Sequence, residues 1–228
     1  MNKLLLFDID KTLLYSAQGH VEAFAVAFKQ VYGVNASMYM SKHHGKTDQQ
    51  ILYEVLTQVG LSEEEIQPKI SECMDVMCDY FQSISPFTTA DMLPHVEESL
   101  KTLSDDGNLL GLVTGNLEPI AHAKLSKVDI DHYFKLGGFG NSAIDRSDLV
   151  KIAITRARDE YRFAVKDNNV VLFGDAPQDM IAAKSGGAVA IAVTTGIYNE
   201  NELLAAGADY VVDGVGNIKA IHQIFDKF

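Results

Sequence analysis

Apolar positions in this chain follow two patterns. Leu4-Leu5-Leu6-Phe7, Leu109-Leu110-Gly111-Leu112-Val113, Val170-Val171-Leu172-Phe173 and Ala188 to Val193 are short unbroken runs bounded by polar turns. Runs of this length without polar alternation predict strands buried on both faces, as in a parallel sheet covered by helices. Tyr210-Val211-Val212 reads as a last strand and Phe134-Lys135-Leu136 as a weaker one. Between the runs the period becomes helical. Val96, Leu100 and Leu103 form one stripe, stopped by Gly107, and Pro119 sits where a following helix begins. Leu149, Ile152, Ala153 and Ala157 form another, with Ser147 or Asp148 as its cap; a short helix then runs to Gly186-Gly187. Glu200 to Ala206 and the stripe Ile218, Ile221, Ile224 complete the alternation, which predicts an α/β fold with a parallel sheet flanked by helices.

The stretch from Tyr15 to Thr89 breaks this rhythm. Val21, Phe24, Ala25, Phe28, Val31 and Tyr32 recur with helical period up to Gly33, and Ile51, Leu52, Val55, Leu56 and Val59 do so up to Gly60. Ser62 with Glu65 fits a capping box, and Ile66, Ile70, Cys73, Met74, Met77 and Phe81 extend a third helix. No convincing strand interrupts them. The expected organisation is a core of residues 1–14 and 90–228 carrying an all-helical insertion at 15–89, crossed near Tyr15 and Pro86.

Composition narrows the picture. The 228 residues, 47% of them hydrophobic, suffice for one core and an insertion without disulfide support. A net charge of −12 disfavours nucleic acid backbones and anionic membrane surfaces as partners. No apolar stretch approaches a membrane span, and the N-terminal run is too short for a signal peptide and is cut by Asp8. Cys73 and Cys78, five residues apart, make neither a disulfide framework nor a zinc set. Reduced thiols and a cytoplasmic location are expected.

The candidate chemistry lies at the strand ends. Asp8 and Asp10 follow the first strand, separated by one residue, and two anions so close call for a cation or a proton. Hard divalent ions, magnesium above all, suit carboxylates and a bound phosphate. Thr114-Gly115-Asn116 follows a second strand and Gly174-Asp175 to Asp179 a third. In a parallel sheet such ends gather at one edge, where ligands bind.

This order resembles the haloacid dehalogenase superfamily: Asp-x-Asp-x-Thr, a strand ending Thr-Gly-Asn, a basic residue before a helix, then Gly-Asp-x-x-x-Asp. The helical insertion directly after the first motif is similar to the cap of the phosphoglycolate phosphatase-like branch, and the resemblance covers essentially the whole chain. It implies a Rossmann-like core with a helical cap and a magnesium-dependent phosphatase reaction. Asp8 would be the nucleophile that becomes an aspartyl phosphate, and Asp10 the acid for the leaving alcohol and then the base for water. Asp8 and Asp175 would hold Mg2+ with their carboxylates, Asp179 directly or through water, and Asp10 with its main-chain carbonyl. Thr114 with the neighbouring N–H groups of Gly115 and Asn116 would hold phosphate oxygens. The branch usually carries a Lys-Pro cation before the third core helix. Here Arg146 takes the place, its fork suited to phosphate and carboxylate, with Lys151 as competitor.

Other residues carry double readings. Lys11 either serves the site or compensates the acids, and Thr12 braces the loop. Gly45-Lys46-Thr47-Asp48 resembles the branch's substrate loop, with Lys46 as the contact; it also reads as an ordinary helix entry capped by Thr47 or Asp48. Asn116 either touches phosphate or closes its turn. His43 and His44 would point in different directions on any regular element, so joint metal binding is not expected; His20, His95, His122, His132 and His222 are expected to be structural or exposed. Met74 and Met77 read as packing.

The leading reading is a phosphatase for a small phosphorylated metabolite, phosphoglycolate-like or a sugar phosphate. A mutase of the β-phosphoglucomutase type uses the same residues and is the main alternative. A dehalogenase would not need Asp10, a phosphonate hydrolase would need Lys46 or Lys42 as a Schiff base, and a non-catalytic phosphate-sensing module would lack both the insertion and Asp10. Oligomeric state is left open.

Overall fold

The computed structural model describes residues 2–166 and 168–227. Among the described residues, eight strands and ten α-helices follow one another. β1 (Leu4–Phe7) and β2 (Leu14–Ala17) come first. Next are α1 (His20–Tyr32), α2 (Asp48–Gln58), α3 (Glu63–Ile66) and α4 (Ile70–Ile84). The chain continues through β3 (Ala90–Met92), α5 (Val96–Asp105), β4 (Leu109–Val113), α6 (Glu118–Ser126), β5 (Gly137–Gly138) and α7 (Arg146–Tyr161). β6 (Val170–Gly174), α8 (Pro177–Gly186), β7 (Val189–Val193), α9 (Glu200–Ala205), β8 (Tyr210–Val212) and α10 (Ile218–Phe225) complete it.

Six strands form one parallel sheet in the order β5-β4-β1-β6-β7-β8. β1 is central, with Leu4 beside both Leu109 and Val170, and Phe7 beside both Leu112 and Phe173. The chain first builds outward on one side of β1 and then returns to its other side. The carboxyl ends of β4, β1 and β6 therefore flank a topological switch point, where such sheets open a crevice.

The unbroken apolar runs are explained by two cores. Leu5 and Phe7 belong to one apolar cluster; Leu4 and Leu6 belong to the cluster on the opposite face. Val171 and Phe173 follow the first, Val170 and Leu172 the second, as the two-residue strand period requires. Phe7 stacks on Phe173 with centroids 4.8 Å apart. The second face is lined by small residues, Ala153, Ala157, Ala182, Ala183, Ala190 and Ala192, which let α7 and α8 lie close to the sheet.

Every element described between β2 and β3 is helical. It has its own apolar cluster, centred on Phe24, Phe28, Leu52, Met77 and Phe81, which takes Leu117 and Ile120 from beside and within α6. The insertion is thus seated on α6 by hydrophobic contact.

Several expectations need correction. The ends of the insertion are not strandless: β2 and β3 pair as a short antiparallel ribbon. Their segments, Leu-Tyr-Ser-Ala and Ala-Asp-Met, are too short and mixed to show a two-residue period. The weak strand at 134–136 is displaced to Gly137–Gly138, preceded by a 3-10 turn at Asp131–Tyr133. Glycine is required there because a Cβ on Gly138 would overlap the Leu149 carbonyl. The third insertion helix is divided into α3 and α4 by a 3-10 turn at Gln67–Lys69, where Pro68 removes a helical N–H. Of the expected capping box, the Glu65 carboxylate accepts the Ser62 N–H at 2.8 Å. α7 begins earlier than Ser147: its cap is Asp145, whose carboxylate accepts the Ser147 N–H at 2.7 Å.

Candidate active site

Asp8, Asp10, Thr114, Asn116, Arg146 and Asp175 all line one crevice of about 250 Å³ at the carboxyl edge of the sheet. Asp8 and Asp175 stand just past the ends of β1 and β6; Asp179 is in the first turn of α8, its side chain buried beneath them. Carboxylate oxygens of Asp8, Asp175 and Asp179 lie within 4.8 Å of one another. Arg146, at the start of α7, places one terminal nitrogen 2.6 Å from Asp8 Oδ1 and 2.6 Å from Asp179 Oδ1. Its other terminal nitrogen donates to the Gly45 carbonyl at 3.3 Å, reaching the insertion.

Three buried carboxylates and one guanidinium leave an excess of negative charge. Burial pushes Asp8 up to about 7; Arg146 opposes this, and Asp179 and Asp10 add to it. Burial, then Asp179 and Asp8, push Asp175 up to about 8. Burial also raises Asp179 against the pull of Arg146. Asp179 Oδ1 faces Arg146 but accepts no well-aligned hydrogen bond. Glycines hold the space around the acids open: a Cβ on Gly174 would overlap Asp179, and one on Gly196 would overlap Asp175 Oδ2. An all-oxygen, over-charged and partly unsatisfied cluster fits a hard divalent cation.

Asp10 has other company. Lys124 Nζ donates to Oδ1 at 2.9 Å and to Oδ2 at 2.8 Å, and the Asn116 amide donates to Oδ2 at 2.8 Å. Confinement in the crevice would raise Asp10, yet Lys124, His20 and the Asn116 amide outweigh it and hold the carboxyl at about 2. The Asp10 carboxylate is therefore turned toward Lys124 and the Asn116 amide and lies outside the three-acid cluster.

Thr114 is fully buried, and its Oγ1 accepts from the Asn116 main-chain N–H at 3.3 Å and from the Asn116 side-chain amide at 2.8 Å. Gly115 lies directly against the insertion. Its carbonyl accepts the Asp48 N–H at 2.8 Å, and a Cβ would overlap the Lys46 carbonyl. Gly45, at φ 73°, lies against Ala176 and Gln178. Thr47 caps α2 with a complete capping box, so the helix-entry reading of this loop holds structurally. Lys46 lines the crevice with its ammonium tied to Glu54, at 2.5 and 2.6 Å. Lys151 pairs with Asp148 on the surface and does not line the crevice. Lys11 donates to the Tyr15 carbonyl and covers the Tyr15 ring; Thr12 is buried beneath the turn.

Sequence reasoning missed two residues. Lys124 is buried to 1% exposure on α6 and contacts Asp10, Asn116 and His20. Its signal was present: it falls on the apolar face set by Ile120, Ala121 and Leu125, where a lysine needs partners. His20, expected to be structural or exposed, opens α1 and lines the crevice, with Nε2 3.1 Å from Asp48 Oδ2. His43 and His44 lie in a turn and not in a regular element, and their rings are 4.3 Å apart.

Known proteins give the same frame. Over 222 residues the chain is 26% identical to the phosphoglycolate phosphatase of Vibrio cholerae, covering 95% of each. The solved structure of a hydrolase from Pseudomonas syringae shares the fold at a TM-score of 0.69 and 19% identity, covering 99% of both chains. A haloacid dehalogenase-like family protein from Streptococcus pneumoniae shares it at 0.67 and 23%, covering 97% of this chain and 99% of that one. The family model for haloacid dehalogenase-like hydrolases matches residues 5–193, from β1 through the end of β7, and the chain belongs to that family.

Proposed function

We propose that this protein is a magnesium-dependent phosphatase acting on a small phosphorylated metabolite, phosphoglycolate-like or a sugar phosphate. The observation that carries this is the buried cluster of Asp8, Asp175 and Asp179 braced by Arg146 beside a small crevice. The full-length similarity to a phosphoglycolate phosphatase supports it.

The carboxylates of Asp8, Asp175 and Asp179, with the main-chain carbonyl of Asp10, would hold Mg2+. When bound, the ion neutralises charge on the acids and on the phosphoryl oxygens. Asp8 attacks phosphorus, the bond to the alcohol breaks, and an aspartyl phosphate forms. Thr114 Oγ1, the N–H groups of Gly115 and Asn116, and the Arg146 fork hold phosphoryl oxygens. Asp10 takes a proton when a phosphate dianion beside it raises its pKa, gives it to the leaving oxygen, then accepts one from the water that attacks the aspartyl phosphate, which breaks the bond to Asp8 and releases inorganic phosphate. Residues 15–89 act as the cap, with Gly45 and Lys46 facing the leaving group.

A mutase remains as second reading because the insertion is seated: Asp48 N–H on the Gly115 carbonyl and Thr47 Oγ1 on the Ile144 carbonyl at 2.9 Å hold it on the core. A closed cap excludes water. Conversion of a hexose 1-phosphate in the presence of its bisphosphate would favour the mutase. The free thiols of Cys73 and Cys78 support a reducing, cytoplasmic setting. Among the described residues no helix is long and apolar enough to cross a membrane.

The test is phosphate release from p-nitrophenyl phosphate with magnesium. Turnover that disappears in Asp8→Asn is expected; no turnover by the wild type overturns the reading.

A further inference from the structure

We propose that Lys124 is the positioning residue for Asp10, and that His20 and Asp48 of the insertion hold Lys124, so that Asp10 is aimed only when the insertion is seated. The inference rests on the phosphatase reading above.

A lysine ammonium has three N–H donors and no acceptor. Lys124 spends all three: on the Asp10 carboxylate, on Asn116 Oδ1 at 2.7 Å, and on His20 Nδ1 at 3.2 Å. A buried ammonium away from these acceptors would stand uncompensated, so its place is fixed by them. Because Lys124 can only donate, His20 Nδ1 must accept, and Nε2–H then donates to Asp48 Oδ2 at 3.1 Å. The His20 ring is also set against Phe24 and Phe81 of the insertion core, at 5.3 and 6.3 Å between centroids.

Asp48 closes the circuit. It is 2% exposed, and its Oδ2 also accepts the Leu117 N–H at 3.0 Å while its own N–H donates to Gly115. The bonds therefore run from Asp10 to Lys124, His20 and Asp48, and return through the loop at 115–117 to Asn116 and Asp10. Two members, His20 and Asp48, come from the insertion; the others belong to the sheet core. Lifting the insertion removes His20 from Lys124 and opens the ring. Without Lys124 the Asp10 carboxylate keeps, among the described residues, only the Asn116 amide, on one oxygen, and its plane is no longer fixed.

The effect falls on leaving-group protonation, which matters more for phenyl phosphate than for p-nitrophenyl phosphate. In Lys124→Met, kcat/KM for phenyl phosphate should fall about 100-fold, and that for p-nitrophenyl phosphate by less than about 10-fold. His20→Gln, which leaves Lys124 and Asp10 intact, should shift the same ratio in the same direction by a smaller factor. Adding Lys124→Met to Asp10→Asn should cost less than about twofold more, because one acts through the other. Equal losses on both substrates, an unchanged or reversed ratio in both variants, or full additivity with Asp10→Asn overturns the proposal. Wild-type turnover of p-nitrophenyl phosphate, abolished in Asp8→Asn, settles the phosphatase reading separately, so failure of the ratio test leaves that reading standing.

Discussion

Asp8 and Asp10 leave the same strand one residue apart, and the two sides of the crevice treat them in opposite ways. On the Asp8 side three buried carboxylates share one arginine, and Asp8 and Asp175 rise to about 7 and about 8. On the Asp10 side one carboxylate has an ammonium, an amide and a nearby histidine, and sits at about 2. Neighbours in a motif need not share an environment: β1 ends at Phe7, so the strand period that would put Asp8 and Asp10 on one face no longer holds, and partners decide charge. One side is short of positive charge and suited to bind a cation. The other is already compensated and suited to handle protons.

The largest expected effect comes from Asp8, the proposed nucleophile. Asp8→Asn should lower turnover by about 10⁴-fold or more, read as phosphate release with magnesium. Next is the arginine that braces the three acids. Arg146→Met should cost on the order of 10²–10³-fold in kcat/KM and destabilise the fold by about 3–5 kcal/mol, measured by denaturant melting, because it leaves buried carboxylates unpaired. Gly196→Ala should push Asp175 aside and weaken magnesium activation by about tenfold, read from the magnesium dependence of the rate.

Proton linkage sharpens the contrast further. Asp8 and Asp175 have folded pKa values above the ordinary 3.8, so their contribution is whole below about pH 4 and is lost as pH rises through about 7 to 8. Asp10 has a lowered value, so its contribution is present above about pH 4 and is lost as pH falls toward 2. In a chelating buffer the melting temperature should fall between about pH 6 and pH 8. Magnesium should restore most of it at the alkaline end and little at pH 5. The smallest effect is expected at Lys151→Ala, whose exposed pairing with Asp148 should leave turnover within about twofold.

Much of this was legible in the sequence because it was local. Unbroken apolar runs gave β1, β4, β6 and β7, since burial on both faces leaves no polar alternation to hide them. The acids and Thr114 were legible because a parallel sheet brings strand ends together by topology alone. Lys124 and His20 were not, because their meaning lies in contacts 104 and more residues apart, between Lys124, His20 and Asp10. The β2–β3 ribbon escaped for the same reason: its pairing joins the two ends of a long insertion, and neither half shows a period of its own.

Calorimetric titration of magnesium at about pH 7 into the wild type, Asp175→Asn and Asp10→Asn tests the division of the crevice most directly. Binding with proton release is expected in the wild type, little binding in Asp175→Asn, and near-normal binding in Asp10→Asn, because the side chain it changes faces Lys124 and not the three acids. Unchanged binding in Asp175→Asn, or binding lost in Asp10→Asn, would contradict it.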